Sequence, residues 1–405
     1  MAINVEAFIK KLASFGQSKN GGVHRLLYSR SWKEAQLAIK EQMELFGFTA
    51  SFDRVGNLFG KIPGTDPGAK TILTGSHIDT VANGGLYDGL YGITASLLAA
   101  KTLYETKGRP KKTIEVVSLC EEEGSRFPLT FWGSGSITGK YTLTDGLPLK
   151  DSNGILLLDA MQEAGFNPDN GQSPVRDDLD CFVELHIEQG MILKSENKAL
   201  GIVSHIVGQR RYSITISGES NHAGTTPMHL RKDALAGAAL FISYIEKKAK
   251  ECDPELVATV GKIDVKPNMP NVIAGDVMFT MDVRHYKETV LNQFYEELLH
   301  YFYTVSEEKN ISFTVSNWMN IHPVAMDRKL IKLCEKIAAE KRLSFHSMIS
   351  GAGHDAQVFG SYCPTVLLFV PSEKGISHSP EEYTCKEDLD NGISMLTELL
   401  YRLAY

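Results

Sequence analysis

Two side chains of metal-ligand type lie at the end of one apolar strand, in the stretch Thr71 to Gly92. His77 ends the predicted strand TILTGSH, and Asp88 follows eleven residues later, across a Gly-rich loop. Imidazole and carboxylate together suit a borderline or hard divalent cation. Asp79 is placed to hold the ring of His77, because a ligating histidine needs its second nitrogen engaged. Alone, an H-x-D sequence after a strand is more often a loop with an Asx turn, so the metal interpretation needs further residues.

A second candidate site is the run of three carboxylates Glu121, Glu122 and Glu123, directly after the apolar strand TIEVVSLC. Adjacent carboxylates repel one another unless a cation or solvent compensates. Strand-like alternation would send Glu122 and Glu123 in different directions, so that one could bind metal while the other acts as a base. The alternative is a solvated acidic loop.

Two histidines complete the pattern. His186 lies in the apolar strand CFVELHIEQG, and His378 lies in the loop PSEKGISHSP after the strand TVLLFV. Taken alone, His186 would more often be a satisfied strand histidine. However, His77, Glu123, His186 and His378 all fall at or just after apolar strands, which is where α/β sheets place their ligand sites. This coincidence favours a metal site.

Composition limits the classes of partner. The chain has 405 residues, 43% apolar residues and a net charge of −7, without a long lysine or arginine run. Two domains are expected at this length, and a small-molecule substrate is favoured over nucleic acid or a membrane. Six cysteines without a C-x-x-C pair, and no signal-like or membrane-spanning segment, predict a reducing, cytoplasmic location.

The hydrophobic pattern predicts an α/β fold with two domains. Helices are expected over 4–46, and a strand, a loop and a helix follow around His77 as in an α/β unit. Residues 209–321 show the order βαββαβ, which predicts a ferredoxin-like domain inserted into the first. The prediction is therefore a discontinuous metal-binding α/β domain with a mixed sheet (1–208 and 322–405), and an insert (209–321).

With these residues assembled, the chain resembles the dimetal amidohydrolases of the aminoacylase and carboxypeptidase G class. Within that class it is similar to the branch of N-carbamoyl-amino-acid hydrolases, β-ureidopropionases and allantoate amidohydrolases. The motifs that carry the likeness span nearly the whole chain: GSHIDTV, NGGLYDG, EEEGSRFP, ELHIEQG, GESNHAGTTPM, PNVIAGDV, DVRH, GAGHDA and GISHSP. The segment VGQRRY at 207–212 favours the allantoate amidohydrolases within this branch.

The resemblance implies roles for the candidate residues. Asp88 would bridge two divalent ions, either Mn²⁺ or Zn²⁺, and Glu122 would be the general base. The implied ligands are His77, Asp88, Glu123, His186 and His378. The implied substrate contacts are Gln189, His222, Asn271, Arg284 and Arg211, with Arg210 as the alternative to Arg211. His222 would also stabilise an oxyanion, and the insert would serve as a lid and pair two chains in a homodimer.

The implied reaction is hydrolysis of the ureido C–N bond of a small ureido acid. Allantoate is expected, giving ureidoglycine, ammonia and carbon dioxide in purine breakdown. The alternative within the enzyme class is an N-carbamoyl-L-amino acid hydrolase, which needs an apolar side-chain pocket. The alternative of another class is a non-catalytic metal-binding protein that retains the fold. It is disfavoured because buried charges are costly around an absent ion.

Overall fold

The computed structural model of the chain describes residues 4–167 and 173–405. The strands are β1 Thr49–Phe52, β2 Leu58–Ile62, β3 Thr71–His77, β4 Ile114–Leu119, β5 Leu179–Ile187, β6 Leu200–Ile206, β7 Gly208–Ser217, β8 Asn221–His222, β9 Val257–Lys266, β10 Val272–Ile273, β11 Asp276–His285, β12 Ser312–Ile321, β13 Val324–Ala325, β14 Phe345–Ser350 and β15 Thr365–Val370. The helices are α1 Val5–Ala13, α2 Arg30–Leu45, α3 Leu90–Lys107, α4 Trp132–Thr138, α5 Leu143–Gly146, α6 Leu157–Glu163, α7 Ile192–Ser195, α8 Ala234–Cys252, α9 Glu288–Lys309, α10 Arg328–Lys341, α11 Asp355–Gly360 and α12 Lys386–Ala404.

The chain divides into two compact units. The first comprises the part up to Ser204, Ala325–Met348 and His354–Tyr405, and the second comprises His205–Val324 and Ile349–Gly353. The predicted domain limits also include residues 1–3 and 168–172, which lie outside the described residues.

The large sheet is mixed, as the sequence predicted. Its strand order is β1-β2-β4-β3-β5-β15-β6-β13, with β14 beside β6. The central strands β4, β3, β5 and β15 run parallel, whereas β2 pairs with β4 in the antiparallel sense. These central strands are buried along nearly their whole length, because helices cover both faces of a parallel sheet. Their apolar runs therefore lack polar alternation.

The second unit has the predicted βαββαβ order, formed by β7, α8, β9, β11, α9 and β12. The four strands form an antiparallel sheet in the order β12-β7-β11-β9. Buried and partly exposed residues alternate along β7 and β11, because one face of the sheet packs on the two helices. A parallel ring stack of Phe241 on Phe302, with centroids 3.9 Å apart, lies within this core.

Two sequence expectations need correction. Residues 14–29 form a loop between α1 and α2, so helices do not cover the whole of 4–46 as the apolar spacing predicts. Strand alternation also does not apply to Glu122 and Glu123, because β4 ends at Leu119 and the chain then turns.

In the part of the chain that the structure describes, no helix is both long and apolar enough to span a membrane.

Candidate metal centre

The candidate ligands lie at one edge of the large sheet because their strands are parallel. His77 ends β3 and is the register partner of Leu119, the last residue of β4, so the Glu121–Glu123 run begins just beyond it. On the other side, His186 near the end of β5 is paired with Phe369 of β15. His378 follows in the loop after β15. The carboxyl ends of neighbouring parallel strands thus converge.

Asp88 lies between two pairs of side chains, and each of its carboxylate oxygens faces a different pair. Oδ1 is 3.5 Å from Nε2 of His77 and 3.2 Å from Nε2 of His186. Oδ2 is 3.2 Å from Nε2 of His378, and that nitrogen is 3.3 Å from Oε1 of Glu123. Two three-residue groups therefore share one carboxylate, as a bridging ligand between two cations requires.

The second ring nitrogens of the two strand histidines identify the atoms that face Asp88. Nδ1 of His77 lies 3.1 Å from the Asp79 carbonyl oxygen, and Nδ1 of His186 lies 2.9 Å from the Ile187 carbonyl oxygen. A carbonyl oxygen only accepts, so Nδ1 carries the proton in the neutral ring and Nε2 presents a lone pair. The Gly89 N–H, which donates to Nε2 of His186 at 3.1 Å, agrees with this assignment. Lone pairs facing a carboxylate require a cation or a proton between them.

Asp79 connects the His77 strand to the acidic run. Its Oδ1 accepts the Glu122 N–H at 3.0 Å and its Oδ2 accepts the Glu123 N–H at 3.1 Å. Oδ1 also lies 3.3 Å from Nδ1 of His77. One buried carboxylate therefore orients both the ring of His77 and the backbone of Glu122 and Glu123.

The three consecutive glutamates have different environments. Glu121 is buried and accepts the Gly124 N–H, which excludes the solvated position that the sequence left open for it. A carboxylate oxygen of Glu122 and one of Glu123 lie within 4.8 Å of a ring nitrogen of His77. Desolvation and repulsion by Glu123 raise the pKa of Glu122 well above its usual value. Such a pKa suits a group that must take up a proton.

The electrostatics of the centre are dominated by buried carboxylates. Burial raises the pKa of Asp88, but His186, His378 and His77 outweigh it and hold the pKa well below its usual value. Burial alone would lower the pKa of His77. Asp79 and Asp88 raise it by a larger amount, so the net pKa is well above the usual value. The residues present therefore fit a pair of divalent cations, because imidazole nitrogens and carboxylate oxygens converge on Asp88 and divalent ions would offset their buried negative charge.

Gln189 lies beside His378, in the group formed by Asp88, Glu123 and His378. It has a positive φ of 57°, and its N–H donates to Oγ of Ser372 at 3.1 Å. Its side-chain Nε2 donates to Oγ of Ser377 at 3.2 Å and lies 3.5 Å from Nε2 of His378. The predicted position of Gln189 next to a candidate ligand is thus observed within the first unit.

The remaining predicted contacts lie in the second unit, where Arg211 and Arg284 line a cavity of about 700 Å³. Both pair with Asp282: Nε of Arg211 lies 2.8 Å from Oδ2, and Nε of Arg284 lies 3.0 Å from Oδ1. The guanidinium of Arg211 also lies 5.5 Å from the ring centroid of Trp318, at a register shift in β12. Arg210 points to the other face of β7, where it pairs with Glu288.

His222 and Asn271 are also neighbours in the second unit. The Ala223 N–H donates to the Asn271 carbonyl oxygen at 3.0 Å, and β8 pairs with β10 at His222. Nδ1 of His222 accepts the N–H groups of Gly224 at 3.0 Å and Thr225 at 3.2 Å. The neutral ring must therefore carry its proton on Nε2, which makes the exposed edge of His222 a hydrogen-bond donor.

Sequence reasoning missed several charged residues around these groups. Glu382 contacts the Asp88 loop, Asp282 pairs both arginines, and Glu184 accepts the Ser76 hydroxyl at 2.7 Å. Arg25 is buried, and its Nε donates to the Ile78 carbonyl oxygen at 2.6 Å. A signal existed for Glu184, which is a carboxylate inside an apolar strand two residues before His186. None distinguished Glu382 from a solvated acidic residue.

A further acidic group in the first unit already contains a cation. Glu373, Cys385 and Asp388 lie close together, but Nζ of Lys194 is 2.6 Å from Oε1 of Glu373 and 2.8 Å from Oδ2 of Asp388. This lysine bridges the two carboxylates and offsets part of their charge, so the group already holds a cation and does not require a metal.

Comparison with known proteins agrees with this geometry. Residues 73–402 match the model of peptidase family M20/M25/M40. The chain belongs to this family. It is 49% identical to an allantoate amidohydrolase of Bacillus subtilis (strain 168), over 99% of the chain and 98% of that protein. It is 35% identical to an N-carbamoyl-L-amino-acid amidohydrolase of Pseudomonas sp. (strain NS671), over 97% of the chain and 96% of that protein.

Solved structures show the same fold. A crystal structure of an amidase of the hydantoinase/carbamoylase family from Burkholderia multivorans superposes with a TM-score of 0.93 at 34% identity, covering 99% of this chain and 97% of that one. The family membership and the α/β fold class predicted from the sequence are therefore confirmed.

Zinc binding should release protons at pH 7. Asp88 and Glu123 raise the pKa of His378 to about 10, so its ion-free ring is protonated at this pH, and Asp79 and Asp88 raise the pKa of His77 well above its usual value. A ligating nitrogen must lose its proton, so we expect at least about one proton released per ion. Calorimetric titration in buffers of different ionisation enthalpy measures this number. A heat of binding that is independent of the buffer would contradict the assignment.

Proposed function

We propose that the chain is a dimetal amidohydrolase that hydrolyses a ureido C–N bond of allantoate, giving ureidoglycine, ammonia and carbon dioxide. The observation that carries the proposal is the position of Asp88, whose two oxygens face two separate groups of ligand atoms. The similarity to an allantoate amidohydrolase, greater than that to an N-carbamoyl-amino-acid amidohydrolase, supports allantoate as the substrate.

In this proposal two divalent ions bind per chain. The first site would be formed by His77, Asp88 and His186, and the second by Glu123, Asp88 and His378. Imidazole nitrogens and carboxylate oxygens accept Zn²⁺, Mn²⁺ or Co²⁺. When bound, such ions polarise a carbonyl group and lower the pKa of water.

Glu122 supplies the proton transfer. Its raised pKa allows its carboxylate to take a proton from the attacking water and then donate that proton to the departing nitrogen. Both nitrogens of a ureido group donate electrons into the carbonyl, so the tetrahedral oxyanion needs strong stabilisation. His222 is suited to this task because its two backbone contacts leave Nε2–H as the free donor.

The arginines of the second unit would bind the substrate carboxylate and its second ureido arm. Arg284 is held by Asp282 and by the Gly351 carbonyl oxygen, which lies 2.9 Å from its Nη1. Each terminal nitrogen of a guanidinium carries two N–H groups, so N–H groups of Arg284 remain to bind the substrate carboxylate. Arg211 pairs with Asp282 through Nε, which leaves its terminal edge for a planar acceptor. Gln189 and Asn271 complete the proposed contacts.

A metal-reconstituted assay of allantoate against several N-carbamoyl-L-amino acids tests the substrate. We expect allantoate to be hydrolysed with the higher kcat/KM. Arg211→Ala should raise KM for allantoate, because the guanidinium edge for the second ureido arm is lost, while any activity on N-carbamoyl-L-amino acids changes little. The latter substrates are the matched control, since they lack that arm.

Equal losses on both substrate classes would remove the reason to assign Arg211 to allantoate. A wild-type preference for N-carbamoyl-L-amino acids would establish the alternative enzyme. Absence of hydrolysis of either class, in protein shown to contain two ions per chain, would support a non-catalytic metal-binding protein.

Glu122→Gln tests the general base. The amide keeps the size of the side chain but cannot take up the proton, so kcat should fall by about 10² or more while the metal content stays unchanged. Glu123→Gln is the matched control, because it changes the neighbouring carboxylate that we assign as a ligand. It should lower the metal content. If Glu122→Gln loses metal and Glu123→Gln retains it, the two roles are exchanged.

We further propose that the insert of residues 209–321 acts as a lid and pairs two chains in a homodimer. The edge strand β9 has ten residues and a mostly exposed pattern. Long exposed edges and apolar patches are typical of surfaces that associate. The exposed apolar side chains of this unit include Val257, Ile263, Met228, Leu230 and Met269. His222 of one chain would then act on substrate bound at the metal ions of the other.

Subunit complementation tests this arrangement. Glu122→Ala and His222→Ala homodimers should each be nearly inactive. A mixed dimer would contain one site with both defects and one site with neither, and random mixing makes half of the dimers mixed. Activity should therefore recover to about a quarter of the wild-type value. If mixing restores nothing, although mass measurements show subunit exchange, His222 acts within its own chain.

A further inference from the structure

Glu382 joins two of the loops that carry candidate ligands in the first unit, those of Asp88 and His378. Its side chain is buried, with 4% of the residue exposed. Oε1 accepts the backbone N–H groups of Tyr87 at 2.8 Å and Asp88 at 3.0 Å, and Oε2 accepts the Ser377 hydroxyl at 2.8 Å. One carboxylate therefore holds both the backbone of Asp88 and the residue directly before His378.

The approach of Glu382 to the Asp88 loop is close. A Cβ atom at Gly85 would lie 2.1 Å from Cδ and Oε1 of Glu382, which is far inside van der Waals contact. Only glycine therefore allows the carboxylate to reach the N–H groups of Tyr87 and Asp88. The sequence NGG before LYDG serves this contact as well as the turn itself.

The same carboxylate extends the contact to His378. Ser377, which donates to Glu382, accepts the side-chain N–H of Gln189 at 3.2 Å, and Gln189 lies 3.5 Å from Nε2 of His378. His378 has a φ of 54°, a left-handed conformation that is uncommon for a residue with a Cβ and persists only where the surroundings determine it. The hydrogen bond from Ser377 to Glu382 fixes the residue next to this strained position.

His378 depends on its loop more than the other two histidines do. The rings of His77 and His186 belong to buried strands, and each is oriented by a carbonyl oxygen at Nδ1. The side chain of His378 is 49% exposed, and the residue lies in the irregular loop between β15 and α12. Loosening this loop should therefore affect the group of Glu123, Asp88 and His378 more than the group of His77, Asp88 and His186.

We propose that Glu382 is a positioning residue for the second ion site. It accepts hydrogen bonds from the backbone of Asp88 and from Ser377, so it holds the loop of the bridging carboxylate next to the loop of His378. Its removal should weaken the second ion more than the first, because the first keeps two histidines on rigid strands. The inference rests on the proposed dimetal centre.

Zinc titration of the full-length protein tests the proposal through binding rather than turnover. After chelator treatment, calorimetry and elemental analysis give the number of ions per chain and the two dissociation constants. We expect two ions in the wild type. Glu382→Ala should keep one tightly bound ion and weaken the other about 10-fold to 100-fold, as is usual for the loss of a residue that orients a ligand.

Two further variants separate positioning from general stability. Glu382→Gln keeps one acceptor oxygen for the backbone N–H groups but loses the second acceptor and the charge, so it should weaken the second ion selectively and by less than Glu382→Ala does. If Glu382→Ala does not fold, wild-type affinity for both ions in Glu382→Gln overturns the role. Asp327→Ala is the matched control, since Asp327 likewise accepts two backbone N–H groups, from Lys329 and Leu330 at 2.9 Å each, at the start of α10, which carries no candidate ligand. It should bind two ions normally.

The possible results are distinct. Wild-type affinities in both Glu382 variants, equal weakening of both ions, or the same loss in Asp327→Ala would each overturn the role of Glu382 and leave the dimetal centre standing. Fewer than two ions in the wild type would overturn the dimetal centre itself, and this inference with it.

Discussion

The candidate site depends on the compensation of buried negative charge around Asp88. Its two oxygens face ring nitrogens of three histidines, and Asp79, Glu121 and Glu382 are buried nearby. Without cations this buried charge must be offset by protons: neighbouring carboxylates raise the pKa values of the three histidines, and burial raises the pKa values of Glu121 and Glu382. A pair of divalent ions removes that requirement and frees the nitrogens as ligands. The same charge balance explains why so many hydrogen bonds converge on the loops around Asp88.

The fold brings these groups together through strand direction. Because β4, β3, β5 and β15 run parallel, their carboxyl ends meet at one edge of the sheet. Neighbouring carboxylates then orient the ligands: Asp79 acts on His77 and the acidic run, whereas Glu382 acts on the Asp88 and His378 loops. In the second unit, Asp282 has a similar relation to Arg211 and Arg284. Each set of candidate functional groups thus includes a carboxylate that orients its neighbours and takes no direct part in the proposed reaction.

Local patterns predicted much of this arrangement. His77, His186 and the acidic run lie at or just after apolar strands, so the place of the site in the sheet could be predicted from local sequence. The hydrophobic periodicity of 209–321 likewise predicted the βαββαβ order. Arg210 and Arg211 could not be separated until pairing of β7 with β11 placed Arg211 opposite Asp282. Glu382 was missed because its partners Tyr87 and Asp88 lie almost 300 residues earlier, and no local spacing records such a contact. Long-range hydrogen bonds of loop residues are the part that sequence patterns do not carry.

The bridging position of Asp88 can be tested most directly by diffraction from crystals grown with Mn²⁺ and measured near the manganese absorption edge. The account predicts two anomalous peaks per chain, about 3.5 Å apart, on either side of the Asp88 carboxylate. One peak should lie next to His77 and His186, and the other next to Glu123 and His378. A single peak, or two peaks of which neither is coordinated by Asp88, would contradict the claim that this carboxylate serves two ions.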